Sequence, residues 1–399
     1  MNFILFDDHS WKTLLPFTYT RPVSEIRIGI ITIHEKWELF LDGKASWRTQ
    51  DYLSQKFPLI FYGTPNFWVN GKVIPNKELA KNVLSLKGGQ ALVGKNTLIA
   101  FNSGNELKFP EKLDMERLAS VFEIKEHNQE FNYLENPWDI FTLNSKVIND
   151  DFELLTRGRK SEPISGTNKF AGMQNIFIEK GAKVECSVLN ANEGPIYIGK
   201  NAEVMEGCLI RGPFALGENA VLKMGTKIYG ATTIGPGCKV GGEINNSVLF
   251  SNSNKAHDGF LGNSIIGEWC NLGADSNNSN LKNNYGNVKV WSHAREEMID
   301  TGLQFCGLFM GDHSKCGINT MFNTGTMVGV NANIYGGDFP INFIPSFSWG
   351  GAEEFEDYRL DKALETAEKV MKRRHINMSK EDKNILAHIY YLNKKDRNK

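Results

Sequence analysis

The chain has no run of about 18 apolar residues, so no helix of bilayer-spanning length is expected. Its start, MNFILFDDHSWK, carries acids where a secretory leader needs bases, and a cytoplasmic location is the expectation. CxxC pairs are also missing. Cys186, Cys208, Cys238, Cys270, Cys306 and Cys316 stand apart, which argues against a disulfide or zinc framework, and each is expected to pack as a small hydrophobe. Neither sign of charge is in excess. With 45 basic and 46 acidic residues the net charge is −1, and no global field favours nucleic acid or an anionic membrane. What is not short is length: 399 residues suffice for two domains and a sizeable core.

Against these absences stands a strict repeat. Ile198, Val204, Ile210, Leu216, Leu222, Ile228, Ile234 and Val240 fall on an unbroken six-residue beat, with Gly199, Gly217, Gly235 and Gly241 directly after four of them. A period of six fits neither an α-helix nor a β-sandwich strand. It is the spacing of a left-handed parallel β-helix, in which each hexad forms one face of a triangular coil, aliphatic side chains stack inward, and Gly or Asn take corners where φ > 0. Aliphatic residues make up roughly a fifth of ordinary chains, so eight in register would rarely arise by chance.

The beat is imperfect before this run (Ile178, Val184) and breaks at Asn245-Asn246, after which Asn245–His257 reads as polar and irregular. It resumes at Ile266-Gly267 and Leu272-Gly273, breaks again over Asp275–Gly286, and is expected to return at Cys306, Asp312, Ile318, Thr324 and Val330. Interruptions in a solenoid are expected to extrude loops, and such loops carry function. Upstream, strand-like runs (Asn2–Phe6, Ile28–Ile33, Leu59–Tyr62, Phe67–Val69, Thr97–Phe101) alternate with helix-compatible segments (Ile33–Leu41, Asn76–Leu86), predicting an α/β layer. Trp138–Asn149 reads as a connecting helix. Downstream, Glu353–Arg374 and Glu381–Leu392 have helical spacing, with a packing or oligomer-capping role expected and Lys372-Arg373-Arg374 expected to be solvated. The expected division is an α/β domain over 1–160, the solenoid over 161–348 and a helical extension over 349–399.

The segment from Lys255-Ala256-His257-Asp258-Gly259-Phe260-Leu261-Gly262 to Ile266-Gly267 and Asn271-Leu272-Gly273-Ala274 resembles the acetyltransferase domain of the bifunctional N-acetylglucosamine-1-phosphate uridylyltransferase/glucosamine-1-phosphate acetyltransferase family, and more closely its divergent branch. The match is specific over about 245–290; elsewhere in the solenoid only the architecture is shared. The resemblance implies acetyl transfer from acetyl-CoA, with His257 as the base acting on the amine of glucosamine 1-phosphate. The family's asparagine, 23 residues after the histidine, falls on Asn280, which would hold the sugar or acetyl oxygen, and Lys282 or Lys289 would neutralise the phosphate. Acetyl-CoA would lie along the coils of about 306–335. The chain departs from the pattern twice: Phe260 stands for the usual Tyr, and Asn245 for a phosphate-binding lysine. Both bear on which sugar is taken.

By the same resemblance the N-terminal domain is a Rossmann-like nucleotidyltransferase that would use UTP and Mg²⁺. Yet the family's Gly-rich phosphate loop is replaced by Ile4-Leu5-Phe6-Asp7-Asp8 and then Leu14–Val23, which cannot cradle phosphate on bare backbone in the same way. Arg21, then Lys36, is the substitute phosphate contact expected. Val69-Asn70-Gly71-Lys72 resembles the segment bearing the metal-binding aspartate, with Lys72 in its place; Asn70 becomes a candidate substrate contact, and Asp7 or Asp8 the candidate Mg²⁺ ligand. A homotrimer is expected by resemblance. Three other readings stay open: a nucleotidyltransferase whose solenoid is only a trimeric regulatory scaffold, an inactive N-terminal domain, and a sugar-nucleotide-sensing assembly protein. A zinc site from His257, His293 and His313 is disfavoured by their spacing.

Overall fold

The computed structural model describes residues 2–61, 66–104, 109–110 and 113–397. Two compact units emerge: Met1–Leu14 with Thr20–Ile26 and Ile31–Asn136, and Leu15–Tyr19 with Arg27–Ile30 and Pro137–Lys399.

The first unit is built on a six-stranded sheet in the order Lys44–Arg48, Asn2–Phe6, Phe67–Asn70, Thr97–Asn102, Gln90–Gly94, Glu123–Glu126. Its first three strands are parallel, and Thr97–Asn102 runs antiparallel to both neighbours. Asn2–Phe6 and Phe67–Asn70 read as continuous apolar runs because layers cover both of their faces. Helix Ile33–Leu41 has the bounds expected: Thr32 and Glu35 form a capping box, and Ile33, Trp37 and Leu41 present one buried stripe. Lys77–Leu84 starts at Asn76, whose side chain caps Leu79 N–H. Two expected strands are absent. Ile28–Ile30 is a bend belonging to the second unit, where Gly29 N–H reaches Asn144 Oδ1 at 2.7 Å and Ile30 N–H reaches Asp151 Oδ2 at 2.7 Å. Leu59–Phe61 is irregular, and Tyr62 lies outside the described residues.

The second unit is the left-handed β-helix: three parallel sheets of nine, ten and six strands, the ten including one antiparallel strand at the end. Ile198, Leu216, Ile234, Leu249, Ile266, Met310, Val328 and Ile344 are successive register partners down one inward column. One prism edge is a run of left-handed residues: Gly181, Asn201, Asn219, Gly237, Asn252, Trp269, His313, Asn331 and Phe347 all have φ between 55° and 80°. Gly and Asn tolerate that region, whereas aromatic residues there cost on the order of 1 kcal/mol each. The C-terminal helices cover part of this edge. Tyr390 meets Phe347 edge-on at 5.2 Å, and Arg374 donates to Gly237 O and Asn254 Oδ1, both at 2.8 Å. Arg374 is therefore engaged rather than simply solvated. Those helices are Leu360–Lys372 and Lys380–Leu392; the first begins later than expected because Phe355–Asp357 is a strand.

Both interruptions differ from expectation. Asn245–His257 is not extruded; the coil runs straight through Val248–Leu249 and Asn254–Lys255. The beat slips because Gly241-Gly242 make a two-residue corner where the coils before it use four residues, 205–208 and 223–226, and because one more residue is lost between Asn245 and Val248, which pair with Tyr229 and Thr233. The second interruption is a genuine extrusion, but a later and larger one. Asn277–Asn278 still belongs to the coil, and the chain leaves after it, forms the hairpin Lys289–Ser292/Glu297–Asp300, and returns at Phe305, where a bridge to Leu281 closes the neck. On re-entry the period of six is kept, with its phase shifted: Met310, Cys316, Phe322, Val328 and Ile334 point inward, while Ile318 is 69% exposed.

Candidate active sites

In the first unit, residues that follow the parallel strands converge. A cleft of about 760 Å³ opens at the carboxyl ends of Lys44–Arg48, Asn2–Phe6 and Phe67–Asn70. Open sheets bind ligands at such ends, and the volume suits a small molecule. Asp7, Asp8, His9, Arg48, Asn70 and Lys72 line it, with Trp11, Phe109 and Leu113 as an apolar wall. Arg48 lies 3.8 Å over the Phe109 ring.

Lys72 is the centre of the charge pattern. Its Nζ lies 3.2 Å from Asp8 and 2.7 Å from Glu135, with its side chain only 3% exposed. Burial alone would lower the Lys72 pKa, but the two carboxylates raise it. Burial likewise opposes the Asp8 charge; Lys72, Ser10 and Asn70 outweigh it and hold that carboxyl below its usual range. Asp7 differs: burial pushes it up to about 7, despite donors from Thr49 and from Val23 N–H.

This donor set does not fit a divalent cation. The ammonium of Lys72 already lies between the carboxylates that would ligate one, and both Asp7 oxygens are engaged. Among the described residues no group of three His, Cys, Asp or Glu could hold a metal. Asn70 is at the cleft, committed to Asp8 Oδ2 (3.0 Å) and Leu98 O (2.9 Å). Arg21 is buried and is not among the cleft-lining residues. Lys36 is buried too, donating to Ile31 O. Arg48 and Glu135 escaped the sequence reading. The strand ending in Arg48 was not anticipated, and Glu135 reaches Lys72 only through the antiparallel pair Val73–Ile74/Asn132–Tyr133.

In the second unit His257 occupies a four-residue corner, 256–259, and its side chain is exposed. The corner packs on the short one below it: a Cβ on Gly242 would meet Gly259 O at 2.7 Å and His257 O at 3.0 Å. Three residues on, the Phe260 ring and the Asn280 amide close on Gly262, where a Cβ would lie 2.5 Å from the ring and 2.8 Å from Asn280 Nδ2. Asn245 is the register partner of Gly262. Asn280 donates to Asn263 Oδ1 at 2.8 Å, and its carbonyl receives Cys306 N–H at 2.9 Å, placing it at the neck of the extruded loop. Phe260 and Asn280 thus meet at one glycine, with His257 on the adjoining corner; Asn245 pairs with that glycine through the backbone, while its Oδ1 lies towards Gly230 of the preceding coil.

The lysines stand apart from this group. Lys282 donates to Asn287 O at 2.7 Å and lines a shallow groove of about 430 Å³ with Ser279 and Asn323. Lys289 is exposed on the hairpin. His293 is half-buried between Tyr19 and Phe343, desolvation pushing it down to about 4, and His313 stacks on Trp269.

Residues 3–160 match the family described as sugar nucleotidyl transferase. They form a sugar nucleotidyl transferase domain, and the chain is a transferase. The chain is also similar to the bifunctional sugar-1-phosphate nucleotidylyltransferase/acetyltransferase of Sulfurisphaera tokodaii, 26% identical over 315 residues, covering 71% of this chain and 75% of that one. Among solved structures, an Arabidopsis UDP-N-acetylglucosamine acyltransferase is 16% identical, covering 54% of this chain and 78% of its own, with a TM-score of 0.24. The Bacteroides fragilis UDP-N-acetylglucosamine acyltransferase is 14% identical, covering 56% and 96%, with a TM-score of 0.23. No helix among the described residues is long and apolar enough to cross a membrane.

Proposed function

We propose that the chain makes a nucleotide sugar in two steps, acetylating an amino-sugar 1-phosphate on the solenoid and coupling the product to a nucleotide in the nucleotidyl transferase domain. Glucosamine 1-phosphate, acetyl-CoA and UTP are the substrates of this reading. The observation that carries it is the meeting of Phe260 and Asn280 at Gly262 beside the exposed His257.

In the acyl step the sugar amine attacks the thioester carbonyl. A C–N bond forms, the C–S bond breaks, and His257 takes the ammonium proton for delivery to the leaving thiolate. Asn280 Nδ2 is a donor for the sugar or acetyl oxygen. Phe260 offers a ring face without the hydroxyl of the usual tyrosine. In the nucleotidyl step the sugar phosphate oxygen attacks the α-phosphorus and pyrophosphate leaves. Lys72 and Arg48 supply the protein's positive charge there.

A homotrimer in the cytoplasm belongs to this reading. It is supported by the outward apolar pair Val188 and Leu209, register partners on one flat face at 42% and 50% exposure. The decisive assay follows thiol release from acetyl-CoA with glucosamine 1-phosphate, and separately pyrophosphate release from UTP with N-acetylglucosamine 1-phosphate. Absence of thiol release, or release unchanged in His257→Ala, removes the acetyl step; absence of pyrophosphate release removes the nucleotidyl step.

A further inference from the structure

One inward column of the solenoid reads Val184, Val204, Leu222, Val240, Lys255 through successive register partners. A lysine therefore occupies an aliphatic core position, at 1% exposure. A buried ammonium needs compensating partners, and an aliphatic residue in its place would need none. Lys255 Nζ donates to three backbone carbonyls: His257 O at 2.7 Å, Asp258 O at 3.1 Å and Gly241 O at 3.3 Å. Two of them belong to the corner that carries His257, and the third to the shortened diglycine corner beneath it. On its far side the same corner is held by Asp275 N–H on Asp258 O at 3.1 Å. The coil that bears the exposed imidazole thus replaces an apolar contact with a charged tether running from the core to that residue's own peptide.

We propose that Lys255 is a positioning residue for acyl transfer, fixing the 256–259 corner so that the His257 ring is presented in one orientation to the acceptor amine. This rests on the reading of His257 as the base. Met fills the same column without a desolvated ammonium, and Asp258 O keeps its bond from Asp275 N–H, so Lys255→Met should keep the fold. Lys255→Gln keeps N–H donors within reach of the carbonyls.

The test measures thiol release from acetyl-CoA and glucosamine 1-phosphate by the full-length protein, alongside melting curves. Expected is a kcat lower by about tenfold to a hundredfold in Lys255→Met, the scale of a misplaced reacting group, with KM for both substrates little changed and a partial return of kcat in Lys255→Gln. A folded Lys255→Met with wild-type kcat overturns the proposal. So does loss of folding in both variants, which makes the residue structural only. A silent wild-type protein, or a His257→Ala as active as wild type, instead removes the His257 reading, and the proposal with it.

Discussion

Replacing Lys72 by Met tests whether its ammonium stabilises the first unit as the counter-ion of Asp8 in the cleft. The lysine side chain is 3% exposed and Asp8 is 8%, while Glu135, at 35%, can turn to water. Removing one partner of a buried ion pair costs about 3–5 kcal/mol, because the other charge stays buried. Asp8 keeps donors from Asn70 (3.0 Å) and Ser10 N–H (2.9 Å), so the low end applies: about 3 kcal/mol, or roughly 10 °C in Tm for a unit of this size. Urea unfolding followed by the fluorescence of Trp37 and Trp68, both buried in this unit, reads the change. The pH dependence gives a second, independent check. Asp8 is held below its unfolded value of 3.8, so its contribution is present above that pH and lost as pH falls through the lower folded value. In the variant Asp8 retains burial without its counter-ion and gains from protonation already at higher pH. The gap between wild type and variant should therefore narrow from pH 7 towards pH 4. Lys72 is raised, so its contribution persists up to its folded pKa and no loss is expected on the alkaline side below about pH 10. Equal stability at pH 7, or a gap that widens in acid, refutes the argument.

Three other outcomes are expected. Asp7→Asn should gain stability relative to wild type between pH 4 and 7, by no more than about 4 kcal/mol, because burial keeps the native carboxyl protonated up to about 7 while the unfolded chain ionises and is favoured as pH rises; chemical denaturation across that range checks this. Gly242→Ala should lower both Tm and thiol release, since its Cβ would meet backbone of the His257 corner, while Gly225→Ala, at φ +71° with nothing within 4 Å, should cost only the left-handed penalty of about 1 kcal/mol and leave thiol release intact. His293, depressed to about 4 by burial, removes stability as pH falls from about 6.5 towards 4, on the order of 3 kcal/mol; His293→Phe should flatten that limb in pH-jump unfolding.

Period and phase carry different amounts of information, and this decides what the sequence could disclose. The aliphatic beat from Ile198 to Val240 identified the solenoid because a core column tolerates little else, and the pairing of Ile198, Leu216 and Ile234 follows from it directly. Phase after a loop is not fixed by period. Cys306, Asp312 and Ile318 lie six apart just as Met310, Cys316 and Phe322 do, and it is strand pairing that puts the second set in the inward columns, Met310 on Ile266, Cys316 on Leu272 and Phe322 on Asn278. The sheet of the first unit was legible where a strand is covered on both faces, as in Asn2–Phe6. It was hidden where polar and apolar residues mix, as in Lys44–Arg48, and the cation that this strand brings to the cleft was missed with it.

The His257 region shows the same limit at the level of chemistry. Its polar run looked like an extruded loop because Lys255 breaks the aliphatic pattern, and patterning treats a lysine as an outward residue. The break in fact comes from missing corner residues, two at Gly241-Gly242 and one between Asn245 and Val248, and Lys255 lies inside. Burying a charge where valine or leucine serves in neighbouring coils is unfavourable unless the carbonyls it engages have to be held, and two of its three are His257 O and Asp258 O. Such local conflicts between pattern and structure are expected where a site is built. A tether that serves only stability would leave the turnover of folded Lys255→Met at the wild-type value, whereas one that orients a base would lower it, so kcat measured on the folded variant separates the two.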